Sequence, residues 1–514
     1  MSNSRLHPII HGTLLLTAAG FLSRILGFFY RIFLSNQIGA EGMGIYQLIF
    51  PVYGLCNAIC TASIQTAISR YTAYEYSSHS KKGMKRTLLA GLSLSLFLST
   101  LLGTFVYAFA PWISIYFLKE ERCVLLLQIM ALSLPVGAIH SSINGYYYGM
   151  QKASVPAFSQ LAEQLVRVFS VYLFVTISLE KELPVTPLLA VYGMLLGEIA
   201  SVLYCLLALS IFSAQSLPEK RQTNAPSFFL QFRRILFLSV PLSANRLCLN
   251  LLQSIEAVCI PSALRLFGLT VGNALEIYGI FTGMAMPFIL FPSALTNSIA
   301  VMLLPTIAQA QAAHDQKQVR QVSSLAVRYS LVIGILFTGI FLFYGNEMGT
   351  LIYHNKTAGL YICTLSWLCP FLYLTTTTGS ILNGLEKTGI TFFHNILALT
   401  IRIIFVFLAI PRFGIMGYLW GLLLSQLAIA AMHVHMVKQL VHFSFSAYTF
   451  LFIPVIKLFI SLAAAHFVFR FLPRLPISPI AFLACKICFI CLCYALLYAK
   501  EIRQLIHPAK KRLG

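Results

Sequence analysis

The stretch PVGAIHSSINGYYYGMQKASVPAFSQLAEQLVR, residues 135–167, is echoed 235 positions later by PFLYLTTTTGSILNGLEKTGITFFHNILALTIR, residues 370–402. Pro135, Gly149, Lys152, Phe158 and Arg167 fall on Pro370, Gly384, Lys387, Phe393 and Arg402. At the same offset Thr61-Ala-Ser-Ile64 falls on Thr296-Asn-Ser-Ile299. Further on, Gly193, Gly197 and Ser201 fall on Gly417, Gly421 and Ser425 at an offset of 224, as a longer loop before the first of these helices would produce. The identities are few, so the duplication stands as an expectation. Repeated apolar halves with arginine inside them point to a membrane transporter whose site lies between the halves.

The surrounding composition supports that reading. Of 514 residues, 58% are hydrophobic and 10% charged, with mean hydropathy +0.81. No soluble protein of this length hides so much apolar side chain, so its solvent is a bilayer. Segments of spanning length, about 20 residues, fall at 10–34, 44–70, 87–110, 123–150, 155–178, 186–212, 235–262, 274–305, 325–345, 358–384, 389–411, 415–438, 447–471 and 478–499. The fold class is therefore all-α integral membrane, with about fourteen transmembrane helices. Residues 1–215 form a first six-helix lobe, 216–234 a basic cytoplasmic linker and 235–440 a second six-helix lobe. Residues 441–514 add helices 13 and 14 and a basic tail. Six spans per copy is an even number, so the lobes run in the same direction and are related by a pseudo-two-fold along the membrane normal.

The net charge of +21 is placed for topology rather than for nucleic acid. Lys81, Lys82, Lys85, Arg86, Lys152, Lys220, Arg221, Arg233, Arg234, Lys317, Arg320, Lys387, Lys438 and the tail basics share one side if both termini are cytoplasmic. Glu41, Glu120, Glu121, Glu180, Glu182 and Glu347 lie opposite. This is the positive-inside pattern, so the excess charge mainly sets topology. The first apolar run continues through Arg24 and Arg31 without a cleavage site, so it is expected to stay in the mature chain.

Polar stripes interrupt the apolar helices. Thr17, Arg24 and Arg31 recur at heptad spacing in the first span, which stacks the guanidinium groups about 10 Å apart on one side. Arginine in mid-bilayer costs at least roughly 2.5–3.5 kcal/mol on insertion scales. Such a pair either binds an anion, guanidinium being suited to phosphate, or takes a carboxylate partner at Arg24 and snorkels at Arg31. In the seventh span Arg246, Asn250, Gln253 and Glu256 share a face that lines a cavity or seals a seam between helices. Arg167 can pair with Glu163 one turn away, whereas Arg402 has Ala398 in that position. Ser141, Ser142 and Asn144, and likewise Thr375 to Thr378, Ser380 and Asn383, either contact sugars or let helices approach. Glu198 and Glu256 are the only carboxylates in their spans; each carries a coupling proton or cation, or neutralises an arginine.

The single aspartate, Asp315, lies in a polar loop. No Asp-x-Asp pair, aspartyl-phosphate site or Walker A loop is present, so an enzyme, a resident metal and a cofactor are not expected. Cys485, Cys488, Cys491 and Cys493 read as small hydrophobes in an apolar helix, and His433-Val-His435 as helix-end histidines.

Three segments carry a family resemblance. These are Gly20-Phe-Leu-Ser-Arg24-Ile-Leu-Gly27-Phe-Phe-Tyr-Arg31 with Ile38-Gly-Ala-Glu41-Gly-Met-Gly-Ile-Tyr46, then Phe158 to Arg167, then Ile277 to Pro287. They resemble the stage V sporulation protein B family, in the multidrug/oligosaccharidyl-lipid/polysaccharide (MOP) flippase superfamily with the lipid II flippases. Ser23-Arg24-Ile25-Leu26-Gly27-Phe28 is similar to a lipid II flippase pattern, while Ile45 to Asn57 lacks the aspartate and arginine those relatives place in the next helix. The resemblance implies a two-lobed flippase for an undecaprenyl-pyrophosphate-linked saccharide, such as a peptidoglycan precursor, in cell-wall or sporulation biosynthesis. It places pyrophosphate at Arg24, Arg31, Arg246 and Arg402, with Arg265 an alternative to Arg246. Saccharide contacts then fall to Asn144, Asn250, Gln253, Thr376 and Asn383, and ion coupling by H+ or Na+ to Glu198 and Glu256. Membrane lipids and cell-wall synthases are the expected partners. A multidrug cation antiporter and a non-transporting scaffold are the alternatives.

Overall fold

The computed structural model describes residues 3–212, 226–443, 446–471 and 478–506. Most of the expected basic linker, including Lys220 and Arg221, and the basic tail from residue 507 lie outside the described residues. Every regular element described is helical: α1 (Asn3–Leu48), α2 (Phe50–Cys60), α3 (Ala62–Ser77), α4 (Lys81–Ala108), α5 (Cys123–Gly149), α6 (Ser154–Glu180), α7 (Leu188–Phe212) and α8 (Phe228–Leu266), then α9 (Val271–Leu290), α10 (Ser293–Ala312), α11 (Gln316–Ile352), α12 (Lys356–Leu365), α13 (Leu368–Gly384), α14 (Thr388–Leu408) and α15 (Ile415–Val441), and finally α16 (Tyr448–Phe471) and α17 (Pro479–Ile506). Among the described residues, thirteen helices are long and apolar enough to cross a membrane, or fourteen when α12 and α13 count as one bent span. The protein is an all-helical, multi-pass membrane protein.

The spans differ in detail from the sequence expectation, and the chemistry is local. The first two expected spans part at Gly39 (φ 72°, ψ 178°), which leaves helical range and makes α1 two helices joined at a kink. The single span expected over 274–305 is two helices, α9 and α10, broken where Pro292 cannot donate to the preceding turn. Between α12 and α13 the axis bends by 52°. Pro370 takes away the i→i−4 hydrogen bond that the Ser366 carbonyl would accept, and that carbonyl accepts from Cys369 N (3.1 Å) and the Thr338 hydroxyl (3.1 Å) instead.

The backbone repeats the 235-residue offset more clearly than the side chains do. His79, Lys119 and Gln151 have positive φ (57°, 57° and 59°), and so do His314, His354 and Glu386 (55°, 52° and 62°). At the first corner Ser80 N donates to Glu75 O (3.0 Å), and at its counterpart Asp315 N donates to Ala310 O (2.9 Å). The next pair repeats it: Lys152 N to Tyr147 O (3.0 Å) and Lys387 N to Leu382 O (2.9 Å). Each is a left-handed C-terminal cap. Ser80 and Asp315 then cap the following helices by accepting from Gly83 N (3.1 Å) and Gln318 N (2.9 Å). The lone aspartate is thus a helix cap.

Cα packing divides the chain into two compact units that do not coincide with the two copies. Met1–Gly283 with Ile403–Gly417 makes one, and Met284–Arg402 with Tyr418–Gly514 the other. In the first, α8 packs on α2, α3 and α4, α6 packs on α7, and α5 touches α3, α4 and α7. Its core gathers Ile64, Ile68, Ile143, Tyr147 and Ile235. In the second, α11 packs on α12 and α13, α10 on α13, and α16 on α17. Its core gathers Leu303, Ile307, Ile381, Leu382 and Val437.

Candidate functional site

Arg24 and Arg31 stand exposed on α1, two turns apart on one side. Among the described residues, no carboxylate lies within ion-pair distance of Arg24, Arg31 or Arg246. Arg246 is half-buried on α8 and donates to Thr66 Oγ1 on α3 (3.4 Å). One turn on, Asn250 Nδ2 donates to Gly54 O (2.9 Å) and Ser254 Oγ to Pro51 O (3.2 Å), so this part of the stripe seals α8 to α2. Gln253 is exposed, and Glu256 is buried within electrostatic reach of Tyr278 on α9. Arg265 lines a cavity of about 760 Å³ with Lys119, Ser262 and Thr270. In the second unit Arg402 is half-buried on α14. Asn383 accepts from Thr391 Oγ1 (3.0 Å), and Thr376 donates back to Leu372 O (3.0 Å). Outside the membrane, Arg122 grips Glu120 (2.6 Å) and Glu41 (2.8 Å); the Glu120 hydrogen bond is the main reason its guanidinium is held above its ordinary range.

A second constellation joins α5, α6 and α7. His140 Nδ1 lies 3.3 Å from Glu198 Oε2 and 4.0 Å from Glu163 Oε2. Its Nε2 lies 3.1 Å from Ser159 Oγ and 2.8 Å from the Asn144 amide. Glu163 also pairs with Arg167. The three helices come this close because α7 presents Gly197 to α6: a Cβ there would sit 2.7 Å from Glu163 O. Gly137 on α5 likewise leaves room for the Glu198 carboxylate, 3.7 Å from where its Cβ would be.

The sequence profile of the polysaccharide biosynthesis protein family matches residues 9–311, more than half of the chain. The chain belongs to that family. Over 440 residues this polysaccharide biosynthesis family protein is 26% identical to stage V sporulation protein B of Bacillus subtilis (strain 168), covering 85% of this chain and 84% of the relative. It is 29% identical to the lipid II flippase MurJ of the same organism over 168 residues, 31% of each. Among solved structures, lipid II flippase MurJ in an inward closed conformation superposes with TM-score 0.70 at 15% identity, covering 96% of this chain and 100% of that one. An inward-facing multidrug resistance MATE family transporter of the MOP superfamily gives 0.65 at 15% identity, covering 82% and 94%. The fold is that of these two solved structures, one a lipid II flippase and the other a multidrug transporter.

Of the expected residues, the family protein's structure brings Glu198 and Asn144 into one network and sets Arg246 and Asn250 against α2 and α3. Sequence reasoning passed over His140 at its centre. The available signal was one lone titratable group or pair in each of three consecutive apolar spans. It also passed over the buried His394, and it read His433 as a helix-end histidine, whereas His433 lies buried two turns inside the end of α15 with its ring 5.1 Å from that of His394.

Proposed function

We propose that this protein is an alternating-access flippase that moves an undecaprenyl-pyrophosphate-linked saccharide, such as a peptidoglycan precursor, across the bacterial cytoplasmic membrane. The observation that carries this is the pair Arg24 and Arg31, exposed on an apolar helix without a carboxylate among the described residues. Arginine held in a membrane helix at that cost serves an anion or water, and pyrophosphate suits guanidinium forks. Arg246 is the third contact. Gln253, exposed on the same helix, is the polar side chain open to a saccharide in this scheme, while the prenyl tail stays in lipid. An inside-negative potential drives an anionic head group outward by about 2.3 kcal/mol per charge per 100 mV, so ATP is not needed. The placement of basic residues supports cytoplasmic termini on both ends.

The test is reconstitution of the full chain in vesicles with labelled lipid II and other polyprenyl-linked sugars. Selective translocation is the expected result. Cation-driven dye export without lipid movement would replace this reading with a multidrug antiporter.

A further inference from the structure

We infer that His140, Glu163 and Glu198 form a proton-binding centre, one per chain, whose occupancy is coupled to movement of the lipid-linked substrate. The coupling rests on the flippase reading above; the binding of the proton does not.

Charge counting comes first. The side chains of His140, Glu163, Glu198 and Arg167 are 12%, 18%, 10% and 21% exposed, inside helices of membrane-spanning length. Two carboxylates against one guanidinium leave one uncompensated negative charge while His140 is neutral. A buried uncompensated charge is strongly disfavoured, and a single positive charge closes the count. A divalent metal would overshoot, because Arg167 already occupies Glu163. An alkali ion would find an imidazole nitrogen where it prefers oxygen. A proton on His140 fits the charge and the donor set.

The geometry accommodates both states of the ring. Neutral, His140 donates from Nδ1 to Glu198 and accepts at Nε2 from the Asn144 amide (2.8 Å). When a proton from water adds to Nε2, that lone pair becomes an N–H bond and no other bond breaks. The new donor faces Ser159 Oγ (3.1 Å), whose own hydroxyl donates to Pro156 O (3.0 Å). The Asn144 amide turns its oxygen toward the ring. In both states each ring nitrogen has a hydrogen-bond partner, as a proton-exchanging imidazole requires.

The neighbours do not supply the missing charge. Tyr53 of α2 lies within electrostatic reach of both carboxylates, and Tyr30 and Tyr46 of α1 near Arg167. Arg31 lies within reach of those two tyrosines, is exposed and pairs with neither carboxylate. Cys205 of α7 touches Asn144 (3.7 Å). From α3 comes Gln65, bound to Ser141 (3.1 Å), and α4 keeps its basic residues in its first six positions.

The second copy does not repeat the three residues of the centre. Thr375, Ala398 and Leu422 stand where the first copy has His140, Glu163 and Glu198, while Arg402 matches Arg167. Without a proton, like charge on α6 and α7 pushes Glu163 and Glu198 apart. With one, α5, α6 and α7 are drawn together.

Two measurements test this on purified full-length wild type, His140→Gln and Glu198→Gln. In the first, bound protons are counted by full titration from alkaline to acid pH, where wild type should take up about one proton more than His140→Gln. Equal uptake overturns the proposal, and so does stoichiometric zinc binding by wild type that His140→Gln loses. In the second, vesicles holding labelled lipid II receive a pH gradient with the membrane potential clamped. Wild-type translocation should respond to the gradient and that of Glu198→Gln should not; equal responses overturn the coupling. If no variant moves any lipid while the uptake difference persists, the flippase reading fails and the proton centre stands.

Discussion

Glu501 Oε2 lies 2.5 Å from the guanidinium of Arg328, 173 positions earlier in the chain. The other oxygen of the same carboxylate takes Lys457 Nζ at 2.9 Å, and that ammonium sits 3.6 Å above the Tyr498 ring. One acid therefore ties α11, α16 and α17 together. Glu501→Gln keeps the shape but leaves two cations facing each other without their counter-charge. It should cost about 1–3 kcal/mol, read as a lower thermal unfolding midpoint of the purified protein in detergent. An unchanged midpoint would mean that apolar packing alone holds the last two helices.

The anion reading makes a sharper demand on transport. Arg24→Ala combined with Arg246→Ala removes two proposed charge-assisted contacts, each worth about 1.5–3 kcal/mol. Affinity for a polyprenyl-pyrophosphate saccharide should fall by roughly 100-fold or more. Translocation in vesicles should fall with it at equal expression. Normal transport by the double variant would remove the arginines from the mechanism.

How legible was all this beforehand? Spans and their number follow from hydropathy, because a helix must bury its own backbone bonds in lipid and shows that need in composition. The repeat was visible at Pro135/Pro370 and Arg167/Arg402, but its firmest trace, the positive-φ corners at 79/314, 119/354 and 151/386, is carried by backbone. Histidine, lysine, glutamine and glutamate occupy those corners, so no glycine announced them. The break at Pro292 was missed because hydropathy is blind to a missing N–H. The Glu163–Arg167 pair was readable from one-turn spacing. His140 was not, since its partners Glu163 and Glu198 come from other helices, and only the contact between α6 and α7 at Gly197 brings them together.

Topology is open to a direct check. The proposed topology puts the loops with basic residues at 81–86, 152, 317–320 and 387 in the cytoplasm. Green fluorescent protein fused after Lys152 should therefore fluoresce, and alkaline phosphatase fused after Glu182 should be active. Exchanging the two reporters should silence both. The reverse pattern would put the termini outside and undo the expected direction of transport.

Close contact between helices gives the last prediction. A Cβ on Gly149 of α5 would stand 2.6 Å from Ser69 O on α3, and in the second copy a Cβ on Gly384 of α13 would stand 3.0 Å from Leu304 O on α10. Both pairs are related by the same 235 residues, so the same narrow crossing was built twice. A Cβ on Gly20 of α1 meets nothing within 4 Å. Alanine at Gly20 should be neutral or stabilising by up to about 1 kcal/mol, because glycine is the poorer helix former. Alanine at Gly149 should instead destabilise by about 1–3 kcal/mol, since the carbonyl it meets is backbone and cannot swing away. Gly384→Ala should fall between the two, its contact being looser by a few tenths of an ångström. Thermal unfolding of the three variants in detergent orders them. If Gly149→Ala proved as stable as Gly20→Ala, α3 and α5 would not cross at backbone contact, and the repeated crossing would lose its first copy.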